Sequence, residues 1–183
     1  SLNLERIMYL TEDEIRDNAK VILGFDEKDP DVKQGTGQIT TFNQLGFKGV
    51  SDKPDGWYLP NDKQDIAIIL ETKSGKEDIF LEKHYAELVK NIDITAQQYK
   101  RVVGILYNGT DVRVIKYIKG SRQYEEIEDV AKTLQNKRYY IALFKENRIN
   151  KQLIYSLTKK INDCLHVQFG IKNLYHRMII TAF

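Results

Sequence analysis

Asp55, Glu71 and Lys73 are the acidic and basic side chains of this chain best arranged for a reaction. Glu71 and Lys73 follow a short apolar run, Ile66-Ala67-Ile68-Ile69-Leu70, which is bounded by polar residues and reads as a buried strand. Side chains alternate along a strand, so Glu71 and Lys73 point the same way while Thr72 points away. A carboxylate and an amine are thereby held side by side at the edge of an apolar core, where an unpaired charge is costly. Asp55 stands just before a second apolar stretch, Trp57-Tyr58-Leu59, and residues 60–64 between the two are a turn by composition. The two strands are expected to form a hairpin that brings Asp55 near Glu71.

Two carboxylates and a lysine converging on one point suit a hard divalent cation. Magnesium takes oxygen ligands, usually one or two carboxylates with waters and substrate phosphate. Such a cation polarises a phosphoryl oxygen and lowers the pKa of a water, making a nucleophile near neutral pH. Lys73 is then expected to orient that water or to neutralise charge building up on the phosphate. The bland alternative is a surface hairpin carrying an ordinary exposed Glu/Lys pair. The apolar strand directly before Glu71 argues against it.

Pro54-Asp55, a gap, and Glu71-x-Lys73 at a strand end resemble the PD-(D/E)xK nuclease superfamily. The resemblance implies a restriction-endonuclease-like α/β fold, with a central mixed β-sheet flanked by helices. It implies Mg2+ as cofactor, with Mn2+ able to substitute, held by Asp55, Glu71 and the backbone carbonyl of Thr72. Lys73 is the implied catalytic amine, and double-stranded DNA the implied substrate, with a homodimer as one route to double-strand cleavage. Nucleases of this kind often carry a further acidic residue on the first helix, a role open here to Glu14 or Glu12. Gln97-Gln98-Tyr99 resembles an extra motif of RecB-like nucleases and type I restriction motor subunits, in which a glutamine faces the metal. Tyr99 follows Gln98 directly instead of after the usual spacing, so the role is open to Gln97 or Gln98, with Gln98 preferred.

The flanking sequence defines the helices and strands that carry these residues. Thr11 is a good N-cap with Glu14 three residues later, and Ile15, Ala19, Ile22 and Leu23 follow at helical spacing up to Gly24. Residues 25–49 are polar and glycine-rich and read as an extended loop, with one short strand around residues 38–42. Gly35-x-Gly37 lacks the third glycine and the strand-to-helix setting of a dinucleotide site. After Lys73, residues Leu81, Tyr85, Leu88, Val89 and Ile92 recur at helical spacing, and a second helical stretch is expected over residues 94–101. Residues 102–107 read as a strand, Asn108-Gly109 as a hairpin turn, and residues 112–118 as the return strand. This order of elements wraps one central mixed sheet.

Beyond Gly120 the strand signals give way to amphipathic helical patterns, one from Val130 to Phe144 and another through Leu153, Ile161 and Leu165. The expected organisation is a nuclease domain over residues 1–120 and a helical extension over 121–183. The run from Cys164 to Arg177 resembles the helical region that precedes N6-adenine methyltransferase domains in fused restriction–modification enzymes of type IIG or type I-like organisation. That resemblance implies further methyltransferase or specificity domains on the same polypeptide. The apolar stripe from Ile171 to Phe183 has no stop signal, which leads to the expectation of a helix continuing beyond the chain.

The whole chain bounds these expectations loosely. Its 183 residues suffice for one domain with a sizeable core, and 42% hydrophobic with 30% charged residues is ordinary for a globular protein. A net charge of +2 neither demands nor excludes nucleic acid. Lys48, Lys53, Lys73, Lys76, Lys100 and Arg101 are available for phosphates. The single cysteine excludes an intrachain disulfide and a cysteine-based metal site, and no opening resembles a signal peptide. A cytoplasmic location is the expectation. The favoured reading is a Mg2+-dependent endonuclease domain of a bacterial restriction–modification enzyme. Its rivals are a catalytically silent nucleic-acid-binding module of the same fold, and a helical interaction scaffold that leaves Asp55, Glu71 and Lys73 unaccounted for.

Overall fold

Thr11 begins the first long helix as its sequence requires, its Oγ1 accepting the Glu14 backbone N–H at 3.2 Å. The computed structural model describes residues 3–121 and 123–169, with side chains for all of these except 146–155 and 165–169. A single helical turn, α1 (Leu4–Ile7), precedes α2 (Glu12–Leu23), which Gly24 ends in the left-handed conformation at φ 76°. Strands β1 (Val32–Thr36), β2 (Gly56–Pro60) and β3 (Ala67–Thr72) follow, then α3 (Glu82–Thr95), β4 (Arg101–Tyr107), β5 (Val112–Ile118), β6 (Gln123–Glu126) and α4 (Lys137–Phe169).

The strands form one six-stranded sheet in the order β1-β2-β3-β4-β5-β6. Every neighbouring pair is antiparallel except β3 and β4, which run parallel because α3 crosses between them. The chain is thus α/β, with a mixed sheet flanked by helices. β3 lies inside the sheet and all six of its residues are buried, as a near-continuous apolar run demands.

The two faces of the sheet are covered differently. Trp57, Leu59, Ala67 and Ile69 point with Val102, Leu106 and Ile115 into a core shared with Leu88 and Ile92 of α3. Tyr58, Ile68 and Leu70 alternate to the other face, where Phe25, just past α2, stacks on Tyr58 at 6.3 Å between ring centres. Glu71 continues the parity of Ala67 and Ile69 and so belongs to the α3 side.

Four details differ from the sequence reading. The strand expected near residues 38–42 is instead β1, whose half-buried Val-Lys-Gln-Gly-Thr sequence carries little strand signal and is held by its pairing to β2. Gly35 fits there because a Cβ would come within 3.0 Å of the Trp57 ring. The stretch 94–101 is not a second helix: α3 ends at Thr95, and Tyr99 drops into the core with its hydroxyl donating to Pro60 O at 2.5 Å. The turn at Asn108-Gly109 spans four residues between Tyr107 and Val112, closed by Asn108 Oδ1 accepting the backbone N–H groups of Thr110 and Asp111 at 3.0 and 2.7 Å. The sheet also runs past Gly120, since β6 pairs with β5 through Tyr117 and Tyr124, which stack at 4.8 Å.

By its internal contacts the chain divides into two units, Ser1–Ile141 and Ala142–Phe183. Of the helical pattern expected from Val130 to Phe144, residues 130–136 form bends and irregular chain, and the part from Lys137 onward runs on past residue 150 as one continuous helix, α4. The stripe from Ile171 to Phe183 lies outside the described residues. No described helix is long and apolar enough to cross a membrane.

Candidate active site

The register of β2 on β3 assembles the central pair. Gly56 faces Leu70 and Trp57 faces Ile69, so the next step sets Asp55 opposite Glu71. Gly56 suits that approach, because a Cβ there would stand 3.0 Å from Leu70 Cβ. Thr72 then holds Asp55: its backbone N–H and its hydroxyl both donate to Asp55 Oδ2, at 2.7 and 3.1 Å. The expected hairpin and the expected meeting of the two carboxylates are both present.

Helices bring charge to this pair from both sides. From α2, Arg16 Nη2 donates to Asp55 Oδ1 at 3.1 Å and to Glu12 Oε1 at 2.9 Å, while Nη1 donates to Asp13 Oδ1 at 2.8 Å. From α3, Asn91 Nδ2 donates to Glu71 Oε1, and Glu87, one turn earlier, accepts from Lys73 Nζ. His84, a turn earlier again, lies with Nε2 3.2 Å from Glu77 and Nδ1 3.9 Å from Glu87.

Electrostatics follow from that crowding. Burial first, then the Asp55 charge, hold the Glu71 carboxyl well above the ordinary carboxylate range, against the opposite pull of Lys73 and the Asn91 hydrogen bond. Glu12 is shifted upward by the same two causes, burial and then Asp55. Burial pulls the Lys73 ammonium down, but Glu87, Glu71 and Glu12 outweigh it and its pKa is raised, so the amine stays charged. Arg16, in a similar contest between burial and Asp55, is also raised. The site is therefore an anionic cluster already met by two cations.

Two clefts open onto it. One of about 460 Å³ runs past Glu12, Asp13, Arg16, Gln38 and Asp55. The other, of about 290 Å³, runs past Asp52, Glu71, Glu87, Lys90 and Asn91. Lys53 lines both.

The sequence-predicted residues separate into two groups. Asp55, Glu71, Thr72 and Lys73 come together, with Thr72 contributing its N–H and hydroxyl. On the first helix it is Glu12 that interacts with Asp55 and Lys73. Glu14, the other candidate, is exposed, with its backbone N–H committed to Thr11. Gln98 sits in the turn before β4, and its Nε2 donates to Gly46 O at 2.7 Å. Glu71 pairs with Leu106 near the far end of β4, so Gln98 belongs to the opposite end of the strands. Lys100 and Arg101 share that opposite end, where Arg101 Nη2 donates to Gln64 O.

Arg16, Glu87 and Asn91 escaped the sequence reading. A signal existed for Asn91: with His84 and Thr95 it is a polar residue in the buried stripe of α3, alongside Leu88 and Ile92. Arg16 carried a similar one, buried between Ile15 and Ala19 with Glu12 four residues before it.

Among the described residues, no three His, Cys, Asp or Glu side chains stand close enough to hold a metal ion by themselves. The Asp55–Glu71 pair nevertheless fits a cation of the Mg2+ type, which usually takes one or two carboxylates and keeps waters or phosphate in its other positions. The raised Glu71 carboxyl marks like charges brought together in a buried place, the setting a divalent ion relieves. No family model, no curated protein and no solved structure matches this chain.

Proposed function

We propose that this chain is a Mg2+-dependent endonuclease domain of the PD-(D/E)xK type, with a restriction-endonuclease-like fold, hydrolysing phosphodiester bonds of double-stranded DNA. The observation that carries the reading is the opposition of Asp55 and Glu71 on adjacent strands, with Lys73 at the same strand end. Asp55 and Glu71 are the residues to hold Mg2+, or Mn2+ in its place. When bound, the ion supplies polarisation of a phosphoryl oxygen and a water of lowered pKa. Thr72 fixes one Asp55 oxygen and leaves the other to Arg16 or to a ligand. Lys73 is a charged donor beside Glu71 and stabilises negative charge that develops on the phosphate as a water adds to phosphorus and the ester P–O bond breaks. Lys53, exposed on both clefts, is placed to meet a flanking backbone phosphate.

The wider setting of this reading is a bacterial restriction–modification enzyme in the cytoplasm, with methyltransferase and specificity domains on the same polypeptide and a homodimer for cutting both strands. Supercoiled plasmid incubated with the chain and MgCl2 should be nicked or linearised, while EDTA or Asp55→Asn removes the activity. No cleavage under Mg2+ or Mn2+ at any protein concentration tested sinks the enzymatic reading.

One observation favours a second reading, a catalytically silent nucleic-acid-binding module. Arg16 already neutralises Asp55, and Glu87 already holds Lys73. DNA retention in a gel shift that is insensitive to both metal and Asp55→Asn would select it.

A further inference from the structure

Asn91 is 5% exposed on α3, and its Nδ2 donates to Glu71 Oε1. Its other polar atom, Oδ1, is buried and has no hydrogen-bond partner. The Asn91 main chain is satisfied, its carbonyl accepting from Thr95 Oγ1 at 2.8 Å, so the unmet demand belongs to the side chain alone. Buried polar atoms are paired almost everywhere in native proteins, and an orphan calls for an explanation such as an ion or a water. Orienting Glu71 needs only the donor of this amide. The orphaned acceptor lies in a side chain lining the cleft of about 290 Å³ onto which Glu71 and Glu87 also open.

An amide oxygen is a proper ligand for a hard cation, and being neutral it adds no repulsion to two carboxylates already crowded together. We propose that Asn91 Oδ1 is a third protein oxygen on the divalent cation held by Asp55 and Glu71. The inference rests on the cation site of the proposed function and extends it to a residue of α3. It also accounts for why a short amide stands among the apolar residues Leu88 and Ile92 on that helix face.

The test is calorimetric titration of the full chain with MnCl2, on the wild type and on Asp55→Asn, Asn91→Ala and Asn91→Asp, with circular dichroism melting of each variant without metal. Asn91→Ala is expected to weaken Mn2+ binding about tenfold or more. Asn91→Asp keeps an oxygen in place but loses the donor to Glu71, and it is expected to bind at least as tightly as the wild type. If Asn91 only orients Glu71, Asn91→Asp weakens as Asn91→Ala does, and the inference is overturned. Wild-type affinity in Asn91→Ala, with Asp55→Asn weakened, overturns it alone and leaves the cation site standing. A wild type that takes no Mn2+ overturns both. Should Asn91→Ala fail to melt cooperatively, Asn91→Asp decides: equal or tighter binding supports the ligand role, and weaker binding removes it.

Discussion

Thr72 holds Asp55 through two hydrogen bonds to one carboxylate oxygen, its backbone N–H at 2.7 Å and its hydroxyl at 3.1 Å. The second oxygen of Asp55 faces Arg16 across 3.1 Å. The carboxylate is thereby held by one strand and neutralised by one helix. Thr72→Val keeps the shape and the N–H but deletes the hydroxyl, and a hydrogen bond to a charged group contributes about 1.5–3 kcal/mol. Plasmid cleavage should fall about 10- to 150-fold in Thr72→Val, since each 1.4 kcal/mol is a factor of ten. Asp55→Asn should lose far more. Equal losses in the two variants would mean that Asp55 acts only through Thr72.

Glu71 is expected to oppose folding as the pH rises. Its carboxyl is held above the ordinary value of 4.5, so the folded chain binds that proton more tightly than the unfolded chain. The stability this confers is fully present below about pH 4.5 and is lost as pH climbs through the raised folded value. Glu71→Gln removes the titration, so without metal at pH 8 it should melt above the wild type and depend less on pH. It should also lose cleavage and Mn2+ binding. A variant that melts below the wild type across that range would contradict the burial argument.

Lys73 and Glu87 divide the charge on the α3 side. Lys73→Ala should lower cleavage about 100- to 1000-fold, the scale of losing one preorganised donor at a developing anion. Glu87→Gln keeps a hydrogen-bond acceptor for Lys73 while removing its charge, and cleavage should stay within about threefold of wild type, a change of under 1 kcal/mol in the barrier. A loss in Glu87→Gln as deep as in Lys73→Ala would place Glu87 in the chemistry.

Gly56 is expected to resist substitution for a geometric reason. A Cβ there meets Leu70 Cδ2 at 2.9 Å, Leu70 Cβ at 3.0 Å and Thr36 Cγ2 at 3.2 Å, so in Gly56→Ala the Leu70 side chain must turn and β2 must give by a few tenths of an ångström next to Asp55. Overpacking of that kind costs about 1–3 kcal/mol, and at this chain length each kcal/mol lowers the melting midpoint by about 2–4 °C. Because the displaced strand carries Asp55, cleavage measured well below the melting range should fall too. Normal activity with a normal midpoint would mean that Leu70 yields freely.

The features legible in the amino-acid sequence are local ones. The Thr11 cap and the Gly24 stop of α2, the apolar run into Glu71, and the turn that folds β2 onto β3 are all set by neighbours within a few residues. Propensity, side-chain alternation and turn composition act over that range, so Asp55 opposite Glu71 was legible before any fold was known. Tertiary structure alone decided which helix side chains arrive there. Glu12 and not Glu14 meets Asp55 because the packing of Ile15, Ala19 and Leu23 sets the rotation of α2 about its axis. Asn91 and Glu87 reach Glu71 and Lys73 because α3 crosses back over β3 and β4, a placement that no local spacing encodes. Gln98 was drawn to the site by resemblance to a motif, but the parallel pairing of β3 with β4 carries it to the other end of the sheet. Contacts of long sequence separation are chosen by how whole faces pack, and that choice is made by the assembled core and not by any single stretch of chain.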